Sequence, residues 1–263
     1  MFAIPPLRLF VDASQVTAAA EVIPFSRLAF ALLPVAVVLV VLQKWSISPG
    51  NSVYAIVRML VQLLILGYAL THIFNGNNPL VVLTVMSLML VVAGWISLRV
   101  TPQNRTRMLG RVLVAIFVGG TSTLIVITQI VLDLDPWYQP EKMIPLAGMI
   151  YSNCMNAVSL AVERFASERT EGVTLAKARQ TALRASLIPI TNSLFAVGLV
   201  AIPGMMTGQV LAGADPGAAA RYQIMVMCMM FGSAGISSAL ALRLIQDVPP
   251  VRAVSTAEEE ASS

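Results

Sequence analysis

Four polar side chains recur at helical spacing in and just after the apolar stretch Met143–Val162. Ser152, Asn156, Ser159 and Glu163 follow one another at offsets of four, three and four residues, which places them on one face of a helix. A polar group in lipid is costly without hydrogen-bond partners, so such a stripe normally faces other helices or a water-filled path. Both interpretations, a helix contact and a hydrated path, are open from the spacing alone.

Methionine sulfur is the second candidate for chemistry. The chain has 14 methionines, and six of them lie in its last third: Met205, Met206, Met225, Met227, Met229 and Met230. Thioethers suit copper(I) better than iron(II), and methionine also serves as flexible packing in apolar cores. The sequence therefore leaves the identity of any metal ligands unknown.

Enzyme motifs do not account for the remaining polar residues. The segment Gly119–Thr123 is rich in glycine and hydroxyls but lacks the lysine of a phosphate-binding loop, and no other segment has that motif. The single histidine, His72, is far in sequence from the serines near Ser237, and nothing places a serine beside a base. We expect no catalytic residues and no cofactor bound by this chain.

The elements that carry these residues are predicted to be membrane helices. The chain is 57% hydrophobic and only 11% charged, whereas soluble domains carry about 25% charged residues. A helical span needs roughly 20 mostly apolar residues, and about seven such stretches occur. They are Leu28–Leu42, Val53–Phe74, Pro79–Leu98, Val112–Leu132, Met143–Val162, Leu187–Leu211 and Tyr222–Ile245. The sequence predicts an all-α, polytopic membrane protein.

The charges of the loops predict the orientation, because loops rich in lysine and arginine stay in the cytoplasm. The loop after the third stretch carries four arginines and no acid, whereas the loop after the fourth carries three acids and Lys142. With about seven spans, this pattern places the N-terminus outside and the C-terminus inside. The net charge of +4 is explained by these loop arginines and does not call for a nucleic-acid partner.

Three regions follow from this organisation. Residues 1–26 contain Pro5 and Pro6 followed by apolar residues, which suggests a short interfacial or external segment. Residues 27–246 are predicted to form a single transmembrane domain. Residues 247–263, with the run Glu258–Glu260, are predicted to be a disordered cytoplasmic tail.

The connection at about residues 164–186 is predicted to lie inside and to contain a short helix of its own. Gly172 can end one helix and Thr174 can cap the next. Apolar residues that include Leu175, Ala178 and Leu183 then recur at helical spacing. Such a helix could dock into a groove on a soluble partner or lie flat on anionic lipid.

A proline-glycine pair interrupts the sixth predicted span. Pro203 removes a backbone donor, and Gly204 loosens the helix further. Broken helices line substrate sites in transporters, and a plain packing kink is the alternative. The sequence does not decide between a break and a kink.

Four separated blocks resemble one family. Ile144–Ile150 with Asn153, Met155 and Asn156 is the first block, and Arg184–Pro189 continued through Gly198–Gly208 is the second. The third and fourth blocks are Asp215-Pro216 with Tyr222–Val226, and Arg58 with Gln62, Leu63, Gly67 and Tyr68. They resemble the FetB-type permease family, which is associated with iron export in bacteria and whose plant relatives are associated with aluminium tolerance.

The resemblance implies a permease of the ABC type in the inner membrane. It implies a homodimer that pairs with a separate ATP-binding subunit, on which ATP and magnesium would bind, and a metal ion as substrate. Another small solute, such as a nucleotide sugar, and a non-transporting scaffold subunit are the alternatives.

The resemblance and the polar stripe together give two sets of candidate site residues. The substrate path is expected to include Arg58, Gln62, Met149, Ser152, Asn153, Met155, Asn156, Ser159, Glu163, Met205, Met206 and Gln223. The contact with the ATP-binding subunit is expected to include Glu168, Glu171, Gly172, Thr174, Leu175, Ala178 and Leu183.

Overall fold

The computed structural model describes residues 24–74, 78–101 and 105–247. These residues are predominantly helical and contain no β-strand. Val197 and Ala201 form an isolated β-bridge. The predicted all-α class is confirmed. Most of the predicted segment 1–26 and nearly all of the predicted tail 247–263 lie outside the described residues.

Eight helices organise the described chain. A helical turn at Phe25–Leu28 and a 3₁₀ turn at Ala29–Leu32 lead into α1. The helices are α1 Leu33–Lys44, α2 Gly50–Phe74, α3 Pro79–Ser97, α4 Arg105–Val131, α5 Pro140–Thr170, α6 Leu175–Ala196, α7 Gly204–Leu211 and α8 Pro216–Leu244. The described residues divide into two compact units, those up to residue 72 with α1 and most of α2, and those from residue 73 onward with α3 to α8.

Five stretches among the described helices are long and apolar enough to cross a membrane. They are Ser26–Lys44, Gly50–Gly67, Pro79–Val100, Arg105–Val131 and Pro216–Leu244. The five stretches confirm a polytopic membrane protein. The predicted number of about seven spans and the predicted orientation stay predictions.

Helix α5 is the centre of the second unit and packs against α3, α6 and α8. Its buried side chains recur every three or four residues, as Ala147, Ile150, Cys154, Val158 and Ala161 show. This spacing forms one apolar stripe. Helix α8 packs against α5 and also against α4. The core of the unit lies between these helices.

Helix α4 departs from a regular α-helix at two places. Phe117–Thr121 and Val126–Val131 are π-helical. Gly119 lies so close to α8 that a Cβ atom built on it would stand 2.7 Å from the backbone nitrogen of Ser237. The wider π turn occurs where the helix has no side chain to hold it away from its neighbour.

The sixth predicted span, Leu187–Leu211, is not one helix. Helix α6 ends at Ala196, and the chain is non-helical until Gly204 begins α7. The Ala196 carbonyl accepts hydrogen bonds from the backbone N–H groups of Leu199, Val200 and Ala201, and Gly198 has a φ of 83°. The span is therefore broken, and the break starts before the proline-glycine pair that indicated it.

The predicted separate helix between the fifth and sixth spans also differs from the structure. Helix α5 continues to Thr170, and α6 runs from Leu175 to Ala196 without interruption. Gly172 does end the first helix, with a φ of 81°, whereas Thr174 occupies the cap position without a side-chain capping bond. The connection is thus the tip of a helical hairpin, because the apolar residues of α6 pack on α5 from its first turn.

Candidate functional site

The polar stripe of α5 lies opposite its buried stripe. Ser152, Asn156 and Glu163 are exposed, and Ser159 is partly buried. Ser152 Oγ donates to the Met149 carbonyl of its own helix at 3.1 Å. Most of the stripe is therefore open in the single chain.

Asn153 is partly buried, whereas Asn156, one turn further along α5, is exposed. Its amide Nδ2 donates to the Met230 carbonyl of α8 at 2.6 Å. This bond joins α5 to α8 in the partly buried region between them. Asn153 therefore acts as a helix contact, which is one of the two interpretations that the sequence left open.

A cavity of about 120 Å³, with a partly polar lining, lies between α5, α6 and α8. Asn153 and Asn156 line it from α5, and Ser186 and Ser193 line it from α6. The two serine hydroxyls donate to carbonyls of their own helix, at 2.8 and 3.0 Å, and keep oxygen lone pairs for another partner. At about 30 Å³ per water molecule, the cavity has room for roughly four.

A second cavity, of about 350 Å³, lies beside the N-terminal part of α5. Met149 and Met205, both predicted from the sequence, line it together with Gln209 of α7 and Tyr222 of α8. Glu141 and Lys142 of α5 complete its polar lining. The last four residues were not predicted as site residues; only the spacing of Met205 and Gln209, one turn apart, signals a shared helix face.

The third cavity, of about 550 Å³, lies between the broken span and α8. Met206 and Gln223 line it, together with Gly198, Pro203 and Cys228. Gln223 is buried, whereas Leu199 and Val200 at the tip of the break are exposed. Apolar side chains provide most of the lining.

Several methionines pack in the core of the second unit. Met225 and Met229 are buried in the main apolar core, where they act as packing. Met155 also packs against that core from α5. No group of three or more His, Cys, Asp or Glu side chains that could hold a metal occurs among residues 24–74, 78–101 and 105–247.

Arg58 and Gln62 lie one turn apart on α2. They belong to the first unit, and the other predicted path residues belong to the second.

The hairpin formed by α5 and α6 has a buried base and an exposed tip. Glu168 is buried and forms an ion pair with Arg164, and Ala178 is fully buried. Leu175 and Leu183 pack partly against the same core. Glu168 and Ala178 therefore pack the base of the hairpin in the single chain, and their expected contact with a partner stays a prediction.

The exposed part of the hairpin tip consists of Glu171, Gly172 and Thr174. Ser167 Oγ donates to Glu171 Oε1 at 3.3 Å, and Arg169 Nη1 donates to the Val173 carbonyl at 3.0 Å. These bonds join the last turns of α5 to the connection that follows it. The tip is a small, ordered, charged projection.

Two arginine side chains of α4 donate hydrogen bonds to backbone carbonyls near the C-terminal ends of α3 and α8. The Arg105 guanidinium stacks over the Trp95 ring at 3.5 Å and donates to the Trp95 carbonyl at 2.7 Å. Arg111 Nη1 donates to the Leu244 carbonyl at the end of α8, at 2.9 Å. A basic side chain at a helix C-terminus satisfies an unpaired carbonyl and complements the helix dipole.

Comparison with known proteins identifies the family. The sequence profile described as "Uncharacterised protein family (UPF0014)" matches residues 25–248, which span all eight helices. A UPF0014 membrane protein of Synechocystis is 36% identical over 69% of this chain and 76% of its own length.

Two further relatives have descriptive names. The "Probable iron export permease protein FetB" of Escherichia coli is 31% identical over 82% of this chain and 88% of its own length. "Protein ALUMINUM SENSITIVE 3" of Arabidopsis thaliana is 30% identical over 82% of each chain. No solved structure gave a significant match. The chain belongs to the UPF0014 family of membrane proteins, the FetB-type family that its sequence blocks resemble.

Proposed function

We propose that the chain is the membrane permease subunit of an ABC-type transporter, and that it exports a metal ion, with iron as the favoured substrate. A relative that covers most of the chain is named a probable iron export permease. The observation that carries the proposal is the cavity between α5, α6 and α8, to which Asn153, Asn156, Ser186 and Ser193 contribute polar side chains within a mainly apolar lining. In an apolar bundle, side-chain oxygens at this position can replace part of the hydration that an ion loses.

The second part of the proposal is a separate energy source. The sequence has no phosphate-binding loop, so ATP and magnesium would bind to a partner subunit. The exposed tip at Glu171, Gly172 and Thr174 is the surface that would contact this partner. The internal bonds of the tip support this role, because an ordered projection loses little entropy on binding.

The third part is a homodimer. The stripe of Ser152, Asn156 and Glu163 is exposed in the single chain. Polar groups on the lipid side of a membrane helix are costly, whereas a second copy of the chain would cover them and enclose a path near the dimer axis. Two permease chains and two ATP-binding subunits would form the transporter, in the inner membrane with the basic loops in the cytoplasm.

The substitution Asn156→Leu tests the path. It removes a polar group that faces the cavity without removing the bond between Asn153 and Met230. We expect the purified complex with the ATP-binding subunit to assemble and to hydrolyse ATP at its basal rate. Iron export, and any stimulation of hydrolysis by iron, should fall at least tenfold, which corresponds to about 1.4 kcal/mol.

The matched control is Asn192→Leu. Asn192 is an exposed asparagine of α6 that does not line this cavity, so its replacement should leave export unchanged. Normal iron export by the Asn156 variant would contradict the path. Export lost only in proportion to lost protein would indicate that Asn156 serves helix packing instead.

A further inference from the structure

The cavity that contains Glu141 and Tyr222 shares no lining residue with the cavity of Asn153 and Asn156. It lies at the opposite end of α5 from the hairpin tip, because Glu141 is in the first turn of α5 and Thr170 is its last residue. Its volume of about 350 Å³ would hold roughly twelve water molecules at about 30 Å³ each. A cation that keeps part of its hydration shell fits this space.

Three helices line this cavity with side chains that carry oxygen: Glu141 of α5 has a carboxylate, Gln209 of α7 an amide and Tyr222 of α8 a phenol. The rest of the lining, apart from Lys142, is apolar. Carboxylate and carbonyl oxygens are the ligands that hard divalent cations prefer. Since each group comes from a different helix, the set forms only when the broken span has folded onto α5 and α8.

Lys142 places a positive charge in the same cavity, next in sequence to Glu141. Among the described residues, the ion pair is formed by Arg164 and Glu168. Glu141 and Lys142 therefore do not neutralise each other by direct contact. An ammonium group near a bound cation lowers the affinity by Coulomb repulsion. Weak binding is what an exit site needs, because an exported ion must leave it.

We propose that this cavity is a low-affinity release site for the exported cation, in which Glu141, Gln209 and Tyr222 supply oxygen ligands and Lys142 keeps the affinity low. The inference rests on the proposed function, since it takes the substrate to be a cation. It adds to the path a second cation site, whose lining differs chemically from that of the first. The uncharged groups at Asn153 and Asn156 carry the ion through the bundle, and the charged groups at Glu141 and Lys142 set the ease of its departure.

Manganese(II) is a suitable probe because it is redox-stable and prefers oxygen ligands. The full-length chain in nanodiscs of neutral lipid is titrated with Mn²⁺, and free Mn²⁺ is followed by electron paramagnetic resonance. Lys142→Gln should bind Mn²⁺ more tightly than the unmodified protein, by roughly five- to twentyfold for one unit charge beside a divalent ion. Glu141→Gln should bind it more weakly by a similar factor, and Tyr222→Phe should also weaken it.

Arg221→Gln is the matched control for Lys142→Gln. Arg221 is an exposed cation that directly precedes Tyr222 in sequence but does not line the cavity. Its removal should change the Mn²⁺ affinity by less than twofold. Equal effects of the Arg221 and Lys142 variants would show a general surface potential and overturn the release site, as would no effect at Glu141 and Lys142.

A transport measurement separates this proposal from the proposed function. Iron export by cells that express the unmodified protein tests the proposed function alone. Intact export together with unchanged Mn²⁺ binding in the Glu141 and Lys142 variants would overturn only the release site. Absence of export by the unmodified protein would overturn the proposed function itself.

Discussion

Asn153 and Asn156 lie one turn apart on α5 and have different roles. Both residues line the same cavity, but Asn153 uses its amide to join α5 to α8, whereas Asn156 stands on the exposed stripe. Interhelical hydrogen bonds in membranes contribute about 0.6 kcal/mol on average. Asn153 therefore supports the bundle that holds the cavity, and Asn156 is available to a ligand or to a second chain.

Gly119 is the residue on which the crossing of α4 and α8 depends. A Cβ atom at this position would stand 2.3 Å from Ser237 Oγ and 2.7 Å from Ser237 N. The backbone nitrogen cannot move aside as a flexible side chain can, so Gly119→Ala should lower the stability by about 1–3 kcal/mol. The thermal unfolding midpoint of the purified protein in detergent measures this change.

Gly110→Ala is the control on the same helix. A Cβ atom at Gly110 would meet nothing within 4 Å, and alanine favours a helix over glycine by about 0.5–1 kcal/mol. This variant should keep or slightly raise the unfolding midpoint. A Gly119 variant as stable as the Gly110 variant would contradict the close crossing.

At the scale of elements, the sequence predicted the stops better than the interruptions. Gly172 was predicted to end a helix and does so, because its left-handed conformation is easily adopted only by glycine. The proline-glycine pair at Pro203 indicated an interruption, but its start at Ala196 was not predicted, since the run from Leu199 to Ile202 is as apolar as a membrane helix. The π turns of α4 leave the apolar pattern unchanged, and they depend on contacts with α8 that a single sequence does not contain.

The candidate site was predicted in the same uneven way. Helical periodicity in one segment was enough to group Ser152 with Asn156. The lining of the Glu141 cavity joins three helices, and Gln209 and Tyr222 are separated from Glu141 by more than sixty residues. Their proximity is a property of tertiary packing, so no local pattern could have revealed it.

The hairpin tip gives a prediction at this scale. Ala176 is exposed in the first turn of α6, beside Leu175, which packs inward. Ala176→Trp should therefore leave the hairpin folded but obstruct a partner surface, and co-purification with the ATP-binding subunit should fall at least tenfold. A pull-down from detergent-solubilised membranes, with the permease quantified in parallel, measures the loss.

Ala212→Trp provides the comparison. Ala212 is exposed in the turn after α7, outside the hairpin, and a tryptophan there should leave co-purification intact. If both variants retained the partner equally, the hairpin tip would not be the contact.

At the scale of the second unit, the contacts fix the relative directions of its helices. Glu141 and Tyr222 line one cavity near the starts of α5 and α8, and Asn153 contacts Met230 further along both, so α5 and α8 run parallel. Arg111 contacts Leu244, and Gly119 approaches Ser237, so α4 runs antiparallel to α8. The start of α4 and the end of α8 therefore share one end of the unit.

This arrangement separates the charges of the unit. The basic end includes Arg105, Arg107 and Arg111 of α4 and Arg243 of α8, whereas the other end includes Asp133, Asp135 and Glu141. Positively charged loops are retained in the cytoplasm during insertion. The basic end is therefore expected to be cytoplasmic, where the hairpin tip could reach a soluble ATP-binding subunit.

Cysteine labelling tests this orientation. Thr106 is exposed at the start of α4, and Ala214 is exposed between α7 and α8. The exposed native Cys228 is first replaced by serine, while the buried Cys154 is kept. An impermeant maleimide added to intact cells should label Ala214→Cys and not Thr106→Cys, and after the cells are opened both should be labelled. The reverse pattern in intact cells would place the hairpin tip outside, away from any cytoplasmic ATP-binding subunit, and would make the Glu141 cavity an entrance for the ion instead of its exit.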